Sequence, residues 1–366
     1  MANLTLKNLH KSFGDVVAVR NLSLDIHDRE FFVLLGPTGA GKTTTLRCIA
    51  GLEKPDSGEI WIGENQVNDW SAANRDVALV FQQYSLYPNY TVRKNLEFPL
   101  KSRLRRLPAK EIGPRVQKAA ETLRIAHLLD RRTDKLSGGE MQRVAIGRAI
   151  VREPQLFLMD EPLSNVDAKL RELLRSELRG LQLKLGATLV FVTHDQVEAM
   201  TMGDRIGVLC DGELIQVGTP YEVYNSPYNT FVASFVGAPI INLFDAILDG
   251  DKIVVTPQKF ELSLEAATRA RLNEIAGGRK NVRVGVRPEH VHLVSNGGLA
   301  GTLYGAEDHG IEMILTISVA DYLIRATSSA TTRISVNAPV QIAFDQDNLQ
   351  FFDPKTTKNL AVPRNG

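Results

Sequence analysis

The stretch Gly36-Pro37-Thr38-Gly39-Ala40-Gly41-Lys42-Thr43 fits the pattern G-x-x-x-x-G-K-[ST]. Its chemistry is that of a phosphate cradle. Glycines let the backbone curl so that its N–H groups point inward at an anion. The helix expected over Thr43–Ala50 offers its positive end to the same place, with Thr44 on its first turn. Lys42 is long enough to reach the β and γ phosphates of a triphosphate, and the Thr43 hydroxyl is a hard ligand for Mg²⁺.

Hydrolysis would also need carboxylates. Asp160 follows the apolar run Leu156-Phe157-Leu158-Met159, and Glu161 comes next. An aspartate at the end of a buried strand suits a metal contact, and a carboxylate beside it can polarise an attacking water. A third feature is Ser137-Gly138-Gly139-Glu140, read as the opening of a helix and so a second anion site. One chain thus holds two phosphate devices but one lysine loop. That makes sense if two copies pair head to tail, each completing the other's site.

The elements that must hold these residues can be read from hydrophobic patterning. Leu22-Ser23-Leu24-Asp25-Ile26 has the period of two of a half-buried strand. Phe31–Leu35, Leu156–Met159, Thr188–Val192 and Arg205–Leu209 are apolar runs and read as strands buried on both faces. Leu170, Leu173, Leu174, Leu178, Leu181 and Leu185 mark one face of an amphipathic helix. Strands alternating with helices predict a parallel sheet covered on both sides, with a more helical portion over about 88–150. The pattern changes at Gly237-Ala238-Pro239. Beyond it, strands are expected at Lys252–Val255, Val282–Val286, Ile311–Val319, Tyr322–Thr327 and Val340–Phe344, and a helix at about 264–276. Short strands separated by turn residues predict a small β-barrel or sandwich. The expected division is 1–235 and 236–366.

With 366 residues, two or three domains are expected. Lys plus Arg is 43 and Asp plus Glu is 42, so no overall field draws the chain to nucleic acid or anionic lipid. Cys48 and Cys210 are far apart in sequence and read as reduced core thiols rather than a disulfide or metal site. No apolar run approaches the ~18 residues of a spanning helix. The start Met1-Ala2-Asn3-Leu4-Thr5-Leu6-Lys7 does not read as a signal peptide. Any membrane role would run through partners.

Taken in order, these motifs resemble the ATP-binding-cassette family over residues 4 to about 235. The resemblance implies an α/β P-loop NTPase fold with a helical subdomain, ATP and Mg²⁺ as ligands, and roles for further residues. Phe13 resembles the aromatic that stacks on adenine, where the family usually has Tyr or Trp. Gln82 resembles a glutamine that touches Mg²⁺ and the membrane subunit. Ser164-Asn165-Val166-Asp167 looks like the D-loop, and His194 like the switch histidine that orients the γ-phosphate. Lys42, Glu161 and His194 are the implied catalytic set, and Thr43, Gln82 and Asp160 the metal set. Two departures stand out. Position 140 is Glu where Gln is commoner, which adds a charge near a nucleotide, and position 166 is Val where Leu is commoner.

Ser85–Asn89, Val197–Met202 and Gly218–Tyr224 look like the carbohydrate-importer branch, and Gly285-Val286-Arg287-Pro288-Glu289-His290 resembles the marker of that branch's OB-like, TOBE-type regulatory domain. This implies a second ATPase copy, two transmembrane permease subunits and an extracytoplasmic solute-binding protein as partners. It places the chain at the cytoplasmic face of the cell membrane, peripherally bound. Three other readings stay open: a soluble cassette protein acting on DNA or ribosomes, an ATP-sensing regulator acting through the C-terminal domain, and an importer ATPase for a non-sugar solute such as a polyamine, iron or sulfate.

Overall fold

A computed structural model describes residues 2–102, 107–164, 166–256 and 260–362. The chain forms two compact units, the first ending at Pro220 and the second beginning at Tyr221.

The first unit opens with β1 (Leu4–Phe13) and β2 (Val16–Ile26), which pair antiparallel, then β3 (Phe31–Leu35). All five residues of β3 are buried. Next come α1 (Lys42–Ala50), β4 (Ser57–Ile62), β5 (Asn65–Gln66) and β6 (Val77–Val80). Three helices follow: α2 (Val92–Glu97), α3 (Ala109–Thr122) and α4 (Gly138–Ile150). The unit then alternates through β7 (Leu156–Asp160), α5 (Ala168–Leu185), β8 (Leu189–Thr193), α6 (Gln196–Met202), β9 (Arg205–Cys210) and β10 (Glu213–Gly218).

The central sheet has the order β10-β9-β3-β8-β7-β6. Every neighbouring pair in it is parallel except β9–β10. Its middle strands are the continuous apolar runs, because strands covered on both faces have no solvent side to keep polar. The sheet β2-β1-β4-β5 shares a core with it: Leu4, Leu6 and Leu22 cluster with Leu34, Leu158 and Val190. Burying each such side chain contributes about 1.5–3 kcal/mol.

This order positions the site. β3, β8 and β7 are adjacent and parallel, so their carboxyl ends lie side by side, where open α/β sheets bind ligands. The glycine loop leaves β3, Asp160 is the last residue of β7, and His194 follows the last residue of β8. The leucine stripe of α5 is only partly used within the chain. Leu174 and Leu178 are buried, but Leu173 is 48% exposed.

The second unit begins with most of α7 (Pro220–Asn225) and continues with α8 (Thr230–Phe235), β11 (Asn242–Asp249), β12 (Lys252–Val255), β13 (Glu261–Ser263), α9 (Ala266–Ala276) and β14 (Asn281–Val286). It ends with β15 (Val291–Val294), β16 (Leu299–Asp308), β17 (Glu312–Val319), β18 (Tyr322–Ser329), β19 (Pro339–Phe344) and β20 (Gln350–Phe352). Two five-stranded sheets, β13-β12-β11-β14-β20 and β15-β19-β16-β17-β18, enclose one core that includes Phe244, Val284, Leu303, Ile317 and Phe351. Buried Arg287 ties the first helices to this core. Its Nη1 donates to the carbonyls of Ala233 and Val236, its Nη2 to that of Tyr224, and it stacks on the Tyr224 ring at 3.7 Å.

Among the described residues, no helix is long and apolar enough to cross a membrane.

Candidate nucleotide site

The loop between β3 and α1 takes its shape from glycine. Gly39 and Gly41 have φ of 83° and 99°, in the left-handed region that side chains with a Cβ disfavour. A Cβ at Gly41 would also run into the carbonyl oxygen of Ala18, and one at Gly36 into that of Leu209. Ala40 is buried beneath the loop, whereas Thr38 and Gly39 are exposed and Pro37 and Thr44 are half-buried. The helix starts one residue earlier than its expected Thr43, at Lys42, with Gly41 as its cap.

Lys42 is only 4% exposed. Its Nζ donates to the carbonyls of Gly36 (2.8 Å) and Pro37 (2.9 Å), and Glu161 Oε1 lies 3.7 Å away. Burial pulls the lysine's pKa below its ordinary value, and the Glu161 carboxylate opposes that pull. Thr43 Oγ1 donates to Asp160 Oδ1 at 2.9 Å. Asp160 is pushed above the usual carboxylate range by burial, with Glu161 adding to the push.

Glu161 joins the two halves of the site. Its Oε2 lies 3.0 Å from His194 Nδ1, while Oε1 faces Lys42. Its backbone φ is 43°, a left-handed conformation for a non-glycine residue. The backbone N–H donates to Val192 on β8, and the carbonyl accepts from Ser164 Oγ. Ser164 Oγ also accepts from Gln82 Nε2 at 3.3 Å, so the glutamine expected at the metal sits against the turn that holds Glu161.

The structure brings Lys42, Thr43, Asp160, Glu161 and His194 into one linked cluster. Phe13 stands apart from its hydrogen bonds, at the end of β1, 47% exposed, with Lys11 Nζ 5.1 Å from its ring centre. Ser137 caps α4, and Glu140 closes a reciprocal box. Glu140 Oε2 accepts from the Ser137 N–H (2.7 Å) and hydroxyl (2.8 Å), while Ser137 Oγ accepts from the Glu140 N–H. The Glu140 charge is therefore spent on its own helix end, and the Ser137 N–H holds its pKa below the ordinary range. A Cβ at Gly139 would strike Leu170 of α5, and one at Gly138 would stand 3.3 Å from the Tyr84 hydroxyl. Asp167 caps α5 by accepting from the Leu170 N–H. Asn165, in the expected D-loop, lies outside the described residues.

A supporting layer was not anticipated from sequence. Thr193 Oγ1 donates to buried Glu198 at 2.6 Å and accepts from the Asp195 N–H, while Asp195 caps α6 and pairs with Arg171. These contacts fix the turn that carries His194. Asp195 before a helix is a readable cap signal, but nothing in the pattern marks Thr193 or Glu198 as its fasteners.

The cluster fits a magnesium–nucleotide complex. A hydroxyl and a carboxylate meet at 2.9 Å, both hard oxygen donors. Among the described residues, no three His, Cys, Asp or Glu side chains gather to hold a metal. A Thr–Asp pair instead suits Mg²⁺, which keeps waters and phosphate oxygens among its ligands.

Known proteins resemble the chain over nearly its whole length. Residues 19–164 match the ABC transporter family, 237–291 the MalK OB fold domain and 284–352 the TOBE domain. The chain is 46% identical to the trehalose/maltose import ATP-binding protein MalK of Thermococcus litoralis, over 98% of this chain and 100% of that protein. It is 44% identical to the sulfoquinovosyl glycerol transport ATP-binding protein SmoE of Agrobacterium fabrum, over 98% and 100%. Among solved structures, the dimeric ATP-binding cassette MJ0796 bound to ADP and Pi aligns with a TM-score of 0.53 and 33% identity, covering 59% of this chain and 98% of that one. With a phosphate loop, an acidic pair and a histidine on one sheet edge, and near-full-length likeness to import ATP-binding proteins, the chain belongs to the ATP-binding-cassette family as an ATPase subunit of the carbohydrate-importer type.

Proposed function

We propose that the chain hydrolyses ATP with Glu161 as general base and so drives uptake of a carbohydrate, polyol or sugar derivative through partner permease subunits. The observation that carries the catalytic assignment is the placement of Glu161, with one oxygen toward Lys42 and the other on His194, beside the Thr43–Asp160 pair.

ATP binds with its phosphates in the loop Gly36–Thr43 and its adenine against Phe13. Lys42 exchanges the carbonyls of Gly36 and Pro37 for phosphate oxygens. Thr43, Asp160 and Gln82 would hold Mg²⁺, which supplies Lewis-acid stabilisation of the transferring phosphoryl group. Glu161 takes a proton from the attacking water as the water oxygen bonds to the γ-phosphorus. The bond from that phosphorus to the bridging oxygen breaks, giving ADP and phosphate. His194 releases its contact with Glu161 to orient the γ-phosphate. Preorganised charge around the phosphoryl group contributes most of the rate.

The second anion device, Ser137-Gly138-Gly139 at the start of α4, faces the nucleotide of another copy in a head-to-tail dimer. The dimeric cassette structure supports this reading. Asp167 lies at that shared boundary. The functional division we assign is a cassette over 1–235 with helical insertion at about 88–150, followed by a regulatory domain over 236–366. The assembly sits at the cytoplasmic face of the cell membrane, fed by an extracytoplasmic solute-binding protein. The names of the relatives, which import or transport sugars and sugar derivatives, support the cargo class.

Glu161→Gln keeps the shape of the side chain and removes its basicity. Its ATPase turnover in the assembled transporter is expected to fall by about 10² or more, with nucleotide binding retained. A near-normal steady-state rate would refute the assignment.

A further inference from the structure

Phe13, the residue expected against adenine, is held from behind by a lysine. Lys11 and Phe13 lie two apart near the end of β1, and the pairing of β1 with β2 shifts register on either side of Lys11. Irregularities of this kind re-aim side chains beside functional sites. Lys11 Nζ stands 5.1 Å from the centre of the Phe13 ring and 3.1 Å from Asp56 Oδ1. Asp56 lies just before β4 and binds the same stretch of β1 through both backbone and side chain. Its N–H donates to the His10 carbonyl at 2.9 Å, and its carboxylate accepts from the Ser12 N–H at 2.7 Å and from Lys11 Nζ. The lysine side chain is 14% exposed, whereas Phe13 is 47% exposed.

A cation within about 6 Å of a ring centre is attracted by the negative face of the π-system. Here Asp56 fixes the cation, so the cation in turn fixes the ring. An exposed phenyl group at the end of a hairpin is otherwise free to change rotamer. Lys11 covers one face, and nearly half of the residue stays exposed, which leaves room for a planar base on the other. Ordering a side chain as a ligand binds costs affinity, and a ring that is already held spares that cost. Tyrosine and tryptophan carry a polar handle with which to fix themselves. Phenylalanine has none, and the lysine supplies the anchor it lacks. An ammonium engaged by a carboxylate and a ring is also not the one offered to phosphates, a task that falls to Lys42.

We propose that Lys11 is a positioning residue for the base: clamped by Asp56, it holds the Phe13 ring from one face so that adenine stacks on the other. Its effect falls on affinity for the base and not on the triphosphate. The assignment rests on the reading that adenine lies against Phe13, and the two can fail separately.

Isothermal titration of the full chain with Mg²⁺ and two probes tests it. One is the imido analogue of ATP, which carries the base and is not cleaved. The other is inorganic tripolyphosphate, which has no base. Phe13→Ala should bind the analogue about tenfold more weakly. Lys11→Met should weaken it about threefold or more and leave tripolyphosphate unchanged, which also checks that the variant is folded. Lys11→Arg keeps a cation for the ring and the carboxylate and should stay within about twofold of wild type. In a Phe13→Ala background, Lys11→Met should cost nothing further. If Lys11→Met does not fold, Asp56→Asn, at an exposed position, frees the ammonium and should show the same base-selective loss. An unchanged affinity in Phe13→Ala removes stacking at that ring, and the proposal with it. If Phe13→Ala weakens the analogue but Lys11→Met does not, stacking stands and the role of Lys11 is overturned. It is overturned equally if Lys11→Met weakens both probes alike, or adds its full loss to that of Phe13→Ala.

Discussion

Glu161 sits in a left-handed backbone conformation that costs a non-glycine residue about 1–3 kcal/mol. The hydrogen bonds to Val192 and Ser164 hold it there. Glu161→Gly should therefore be more stable than Glu161→Ala, by about 1 kcal/mol in chemical denaturation, although both lack the carboxylate. Equal stabilities would mean that the turn carries no strain. Glu140 gives a pH test. Its pKa is lowered in the folded chain, so its contribution is present above the unfolded value near 4.5 and is lost as pH falls through the folded value. Glu140→Gln keeps an acceptor for Ser137 but cannot titrate. The stability difference between wild type and variant should shrink as pH drops below 4.5, and a difference constant with pH would contradict the capping box. The lysine, threonine and acidic pair were readable because their motifs are contiguous. The Thr193–Glu198 contact and the φ of Glu161 were not, since each depends on how β7 and β8 lie together.

At the scale of elements, α6 starts from Asp195, which accepts from two backbone N–H groups and pairs with Arg171. Asp195→Ala should cost about 1 kcal/mol and should lower kcat more than it raises KM for ATP, because it loosens the turn that aims His194. An unchanged kcat would separate the cap from the chemistry. The strands that hold the site were legible because burial on both faces writes a continuous apolar run, as in β3, β7 and β8. β16 was not. It contains Gly301 and Gly305, and Leu303 is the one residue of the strand that is buried. β11 hid for a different reason: one of its inward positions is Asn242, which donates to the carbonyls of Val286 and Arg325 and so looks like a loop residue in the sequence.

For the molecule as a whole, each unit has its own core, and Arg287 is a buried polar fastener of the second. Arg287→Met leaves three buried carbonyls without their donor and should destabilise the second unit by about 3 kcal/mol or more. ATP affinity, which belongs to the first unit, should stay within error. Loss of nucleotide binding in that variant would show that the two cores are not separate. Lys42 has a consequence at this scale as well. Its ammonium group donates to the carbonyls of Gly36 and Pro37, so one side chain ties the bend between β3 and α1 to the start of the helix. Cutting that side chain short therefore takes from the chain a clasp as well as a charge.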